Sequence, residues 1–163
     1  MSKRGERITI TTTTTPTIYS ATEWDLLTNL PGRVIVATAQ PGPGRPFRGV
    51  AAGLAGLDAM AAGRAFDSDL VRAVVAAIYS RHDGVPAPAA QLVDPVDVLA
   101  GCRAVVRVLG RRADPADSAA YRQWVQSVAA RVCRTASAMT PGGALAPADR
   151  RFLDRLGGAL ALR

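Results

Sequence analysis

Two short segments, Asp94-Pro95-Val96-Asp97 and Asp114-Pro115-Ala116-Asp117, constrain what this chain can fold into more than any other feature. In each, the first Asp suits a helix N-cap and Pro pre-sets the backbone angle of the first helical residue. The second Asp meets the positive end of the helix dipole. The helices they open carry Val98, Cys102, Val105 and Leu109, then Tyr121, Trp124, Val128 and Val132, at the three- and four-residue spacing of a buried stripe. Ser20-x-x-Glu23 is a capping box, in which hydroxyl and carboxylate satisfy the orphan amides of a first turn, and Trp24, Leu27 and Leu30 follow on one face.

Pro31-Gly32 interrupts that stripe, and Val34-Ile35-Val36 reads as a second helix or a short strand, with helix favoured by the rest of the chain. Gln40–Pro46 is a Pro/Gly loop. Phe47, Val50, Leu54, Leu57 and Ala61 then repeat at 3-4-3-4 spacing, which predicts a helix with this stripe inward. Gly49, Gly53 and Gly56 flank it, and close helix approach would compensate their low helix propensity. Asp67 caps the next helix, whose inward residues are Leu70, Val74 and Ile78 and which ends near Asp83-Gly84. A Gly-rich loop at Pro141–Gly143 precedes a last helix, favoured by Asp149 near its start, with Phe152, Leu156 and Leu160 on its core face. The expectation is an all-α fold: a single compact bundle of about six helices over residues 20–163, with strands absent or marginal. Residues 1–19 form a Thr-rich N-terminal arm, read either as a disordered tail or as a segment whose Ile8 and Ile10 add a strand to a neighbour.

A chain of 163 residues can bury roughly two-thirds of its unfolded surface, so it needs neither metal nor disulfide to fold. Lys3 is its only lysine, and the abundance of Ala and Arg suggests a GC-rich bacterial coding bias, so part of the arginine content reflects coding rather than function. The net charge of +7 still favours acidic partners, nucleic acid or anionic surfaces. The polar N-terminus has no apolar signal-peptide core, and the most apolar stretch, Val50–Ala62, is broken by Asp58 and too short to span a bilayer. A cytoplasmic protein without a membrane span is expected.

Most carboxylates, including Glu23, Asp67, Asp94, Asp97, Asp114, Asp117 and Asp149, fall where capping or the helix dipole explains them. Asp58 lies mid-helix, and pairing with an arginine from a neighbouring helix is expected. His82, the one histidine, sits at a helix end, where the dipole favours it. Cys102 reads as a small core hydrophobe, whereas Cys133 lies at a stripe's edge near Arg131 and Arg134, whose charges would lower its thiol pKa if exposed. No Gly-x-Ser-x-Gly, phosphate loop or zinc spacing is present, so no catalytic residue, metal ligand or cofactor is assigned and no small-molecule substrate is inferred.

What remains is a basic row. Arg103, Arg107 and Arg111 stand one turn apart opposite the Cys102–Leu109 face, with Arg112 beside them, and Arg131 and Arg134 extend the patch if the two helices pack antiparallel. These six arginines are the candidate partner-binding residues. The leading expectation is a non-enzymatic helical interaction or scaffold protein presenting this face to an acidic protein partner or to its own copy. A nucleic-acid accessory protein is the alternative, although no recognition-helix or basic-aromatic motif supports it.

Two segments share a layout: Tyr79-Ser-Arg-His-Asp-Gly-Val-Pro-Ala-Pro-Ala-Ala-Gln-Leu and Thr140-Pro-Gly-Gly-Ala-Leu-Ala-Pro-Ala-Asp-Arg-Arg-Phe-Leu. Each runs from a helix end through Gly and an aliphatic residue into Ala-Pro-Ala. This resembles the turns of the tellurite-resistance TerB-like family of small all-helical bacterial proteins, over about a third of the chain. The resemblance implies an all-α bundle with an internal pseudo-repeat, and a stress-linked scaffold with an acidic metal site. Asp83 matches the family's turn, but Gly142 replaces the acidic residue in the second copy, and Gln91, Arg150 and Arg151 stand near where a carboxylate is expected. A hard cation needs several oxygen ligands, so no ligand is carried over.

Overall fold

A proline inside a helix removes one amide donor and orphans the carbonyl four residues back. The computed structural model, which describes residues 18–45, 48–82 and 92–162, nonetheless carries one helix, α1 (Ala21–Ala39), through Pro31. The carbonyl without a donor is that of Leu27, and the buried Tyr121 hydroxyl donates to it at 2.7 Å. Tyr121 thus replaces the missing amide. The expected interruption at Pro31-Gly32 is corrected: Val34, Ile35 and Val36 continue the same helix.

Five further helices follow among the described residues: α2 (Gly49–Ala61), α3 (Asp69–His82), α4 (Pro95–Arg112), α5 (Pro115–Ala138) and α6 (Pro147–Ala159). The fold is all-α, and the described residues contain no strand, only an isolated bridge between Gly42 and Arg45. The start signals form as read. Ser20 and Glu23 make both bonds of the capping box, at 3.1 and 2.9 Å, while Asp94 and Asp114 accept from the amides of Val96 and Asp117, each at 2.9 Å. Asp67 is not the cap of α3. That role falls to Ser68, whose hydroxyl accepts from the Val71 amide at 3.2 Å and donates to Asp117 at 2.6 Å, tying the start of α3 to that of α5.

The stripes of α3, α4, α5 and α6 are buried where the periodicity puts them, around the fully buried Trp124 and Tyr121. Tyr19, at the end of the Thr-rich segment, is buried too and lies with its ring centroid 5.8 Å from that of Trp24; residues 1–17, with Ile8 and Ile10, lie outside the described residues. α4 runs antiparallel along α1. The Gln40 amide bonds both backbone groups of Val93 at 2.6 and 3.1 Å at one end, and Arg112 reaches Glu23 at the other.

α2 departs from expectation. Its buried residues are Ala52, Gly56 and Met60, while Val50, Leu54 and Leu57 are 77%, 55% and 45% exposed. Phe47 lies outside the described residues. The helix carries two apolar stripes, Ala52, Gly56 and Met60 on one and Val50, Leu54 and Leu57 on the other, and the core takes the first. The reason is proximity to α5, its principal neighbour. A Cβ added to Gly56 would stand 2.7 Å from Val132 Cγ2 and 3.1 Å from Ile35 Cγ2, so no side chain fits there.

Three substitutions test this packing. Tyr121→Phe leaves the Leu27 carbonyl unsatisfied in a buried site and is expected to lower unfolding free energy by about 1–3 kcal/mol. Gly56→Ala is expected to cost about 1–3 kcal/mol through overpacking against Val132, more than its gain in helix propensity. Gly110→Ala, on an exposed position of α4 with nothing within 4 Å of the added carbon, is expected to stabilise by up to ~1 kcal/mol. Urea denaturation reads all three, and a neutral Gly56→Ala would contradict the close packing.

Candidate functional site

α4 buries Val98, Cys102, Val105 and Leu109 and turns Arg103, Arg107, Arg111 and Arg112 to solvent. The four are not equivalent. Arg112 Nε lies 3.2 Å and Arg111 Nη2 3.6 Å from the Glu23 carboxylate, which therefore both caps α1 and holds the end of α4. The Ser20 amide first, and then the two guanidinium groups, keep the Glu23 carboxyl below its ordinary range. Arg103 and Arg107 have no carboxylate within ion-pair distance among the described residues. Arg131 and Arg134 are exposed on the half of α5 that packs against α2, where Val132 and Ala136 contact Ala52, whereas α5 touches α4 only slightly.

The second surface was not singled out from sequence. The exposed stripe of α2 and the C-terminal half of α1 enclose an open groove of about 410 Å³. Ile35, Val36 and Ala39 form one wall, Val50, Gly53, Leu54 and Leu57 the other, and Leu92, itself 83% exposed, lies at the rim. None of the ten lining residues is charged, and the one polar side chain, Gln40, is already engaged with Val93. The 3-4-3-4 spacing marks Val50, Leu54 and Leu57 as one stripe, but the expectation that this stripe faces the core is corrected: it faces outward.

The third arrangement is buried and ionic. Arg48, 2% exposed, donates through Nη2 to Asp149 Oδ1, and Arg45 Nε lies 3.5 Å from the same oxygen. Arg45 also stacks over Phe152, 4.8 Å from the ring centroid. Burial holds the Arg45 guanidinium below its ordinary range. Nε and Nη1 of Arg48 have no hydrogen-bond partner among the described residues. Asp149 is therefore not chiefly a dipole residue: it fastens the segment leading into α2 onto α6. The pairing spans 101 positions and leaves no local sign in the sequence.

Other expectations are corrected here. Asp58 is exposed and forms no ion pair among the described residues, because it stands on the outer face of α2. Cys133 is fully buried, and its thiol is pushed up by burial and by the Asp149 carboxylate, so the lowering anticipated from Arg131 and Arg134 does not occur. Cys102 is a core residue as expected, its thiol pushed up to about 12 by burial. His82 is the last residue of α3.

Of the two segments that share a layout, residues 83–91 of the first lie outside the described residues. The second turns at Gly142 and Gly143, both with positive φ, and enters α6, where Asp149 is committed to arginine. Among the described residues no group of three or more His, Cys, Asp or Glu side chains could hold a metal ion, and no described helix is long and apolar enough to cross a membrane. Compared with protein-family models, curated proteins and solved structures, the chain matches none.

Removing one partner of a buried ion pair leaves the other charge uncompensated, which typically costs about 3–5 kcal/mol. Asp149→Ala, which strands both arginines, is expected to fall in that range by chemical denaturation. A loss below ~1 kcal/mol, as for an exposed ion pair, would contradict the burial of this pair.

Proposed function

We propose that this protein is a non-enzymatic helical interaction module that presents an arginine face on α4 to an acidic protein partner. One observation carries the reading: Arg103 and Arg107 are exposed, one turn apart, and without a carboxylate partner among the described residues. Two guanidinium groups held side by side repel one another until an anion lies between them, and each offers a planar fork of donors that matches a carboxylate. The rigid helix fixes their spacing, so a partner helix with carboxylates one turn apart meets both at once. The net charge of +7 draws such a partner in from a distance.

Arg111 and Arg112 support this face rather than form its centre, since Glu23 holds both. Arg131 and Arg134 stand on the half of α5 that packs against α2.

Comparing partners captured by the wild type and by a variant with Arg103, Arg107 and Arg111 changed to Ala tests the reading. Loss of an acidic partner is expected, with a dominant effect from Arg103 and Arg107; an unchanged set of partners would remove its basis. The nucleic-acid alternative is separated by titrating duplex DNA and single-stranded RNA at low and physiological salt. Affinity falling steeply with salt and abolished by the same substitutions would favour nucleic acid over an acidic protein.

A further inference from the structure

We propose that the uncharged groove between α1 and α2 is the interface of a two-fold dimer of this chain. A helix that is apolar all round is ordinarily covered on all sides. α2 has one charged residue, Asp58, and the core covers only the side bearing Ala52, Gly56 and Met60. Large side chains at 77%, 55% and 45% exposure on three successive turns form a continuous apolar patch of the kind that marks a docking surface.

The spacing of that patch specifies its partner. Val50, Leu54, Leu57 and Ala61 follow one another at four, three and four residues, the a/d seam along which one helix packs against another bearing the same seam. Four of the five α2 residues that line the groove, Val50, Gly53, Leu54 and Leu57, stand at i, i+3, i+4 and i+7. These four positions make the hole that receives one knob of a facing helix. Gly53 deepens it, because nothing lies within 4 Å of where its Cβ would be. One surface thus carries both knobs and hole, the self-complementarity that a two-fold interface requires. In an antiparallel pairing about an axis between Leu54 and Leu57, each Leu54 meets the other copy's Leu57, and each Val50 meets the smaller Ala61.

Charge selects the same occupant. An acidic partner, which the net charge favours elsewhere, finds no cation in the groove walls. A second copy brings an equally uncharged wall, so the +7 carried by each chain is not concentrated at the contact. Val50, Leu54, Leu57 and Leu92 offer less apolar surface than a standard-size interface covers, so a weak, concentration-dependent dimer is expected.

Sedimentation velocity of the full chain, from about 5 to 200 μM, tests this. The expected result is a concentration-dependent rise from 17.0 kDa towards twice that mass, persisting at 0.5 M salt because the contact is apolar. Leu54→Glu is expected to hold the chain at monomer mass with its helical circular dichroism unchanged. Leu57→Gln serves the same purpose if that variant fails to fold. Arg103→Ala/Arg107→Ala is expected to leave the dimer intact, which separates this interface from the arginine face. A wild type that stays monomeric at 200 μM overturns the proposal, and so does a folded Leu54→Glu variant that dimerises as the wild type does.

Discussion

The contact between α2 and α5 at Gly56 governs the rest of the architecture. Val132 and Ile35 approach the Gly56 backbone so closely that any side chain there would collide with them. Once α2 is seated this deeply, the side bearing Ala52, Gly56 and Met60 faces the core, and Val50, Leu54 and Leu57 turn outward. Deep seating also brings the 3-10 turn Ala62–Ala65, which follows α2, against Trp124, where a Cβ on Gly63 would lie 2.7 Å from the indole nitrogen. The fold thus gains close backbone packing beneath α2 and leaves its larger apolar residues facing water. Close packing recovers dispersion energy over many atom pairs, while three half-exposed aliphatic side chains retain most of their hydration cost.

Seven of the arginines fall into three physical classes, and composition hides the division. Arg45 and Arg48 are buried with Asp149 and act as a structural clasp. Arg81, Arg111 and Arg112 span helices on partly exposed carboxylates, Arg81 reaching Asp25 at 2.6 Å and the Thr28 hydroxyl at 2.9 Å. Such exposed pairs contribute little stability each, but they fix which side of α1 meets α3 and which meets α4. Arg103 and Arg107 belong to the third class, without an internal partner among the described residues. A charge of +7 is therefore not a uniform property of the surface.

What was legible in the sequence was local. Capping at Ser20, Asp94 and Asp114 and the stripes of α3 to α6 depend on residues within a few positions of each other, and they form as read. Three features depend on partners far along the chain and were not legible. Pro31 reads as a break until Tyr121, ninety positions on, supplies the missing donor. Asp149 reads as a dipole residue because its arginines lie a hundred positions earlier. The stripe of α2 was read correctly in spacing and wrongly in direction. Periodicity reports that a helix has an apolar side, but with two such sides, only the shape of the neighbouring helix decides which is buried. The arginine row was legible as a row, but not the capture of Arg111 and Arg112 by Glu23.

The two candidate surfaces have opposite chemistry and stand on different helices, with α1 between them. The antiparallel run of α4 along α1, pinned at Gln40–Val93 and at Glu23–Arg112, directs the arginines away from the groove end of α1 and towards the end where Glu23 lies. Salt screens a contact made through Arg103 and Arg107 and leaves one made through Leu54 largely untouched, since burial of apolar surface does not depend on Coulomb attraction. A dimer joined through α2 in two-fold symmetry would carry two copies of the arginine pair, one on each subunit's α4. Such an arrangement turns a weak acidic contact into a bivalent one whose strength depends on how far apart the two α4 helices stand. In such a dimer the uncharged groove would set the spacing at which the basic row is presented.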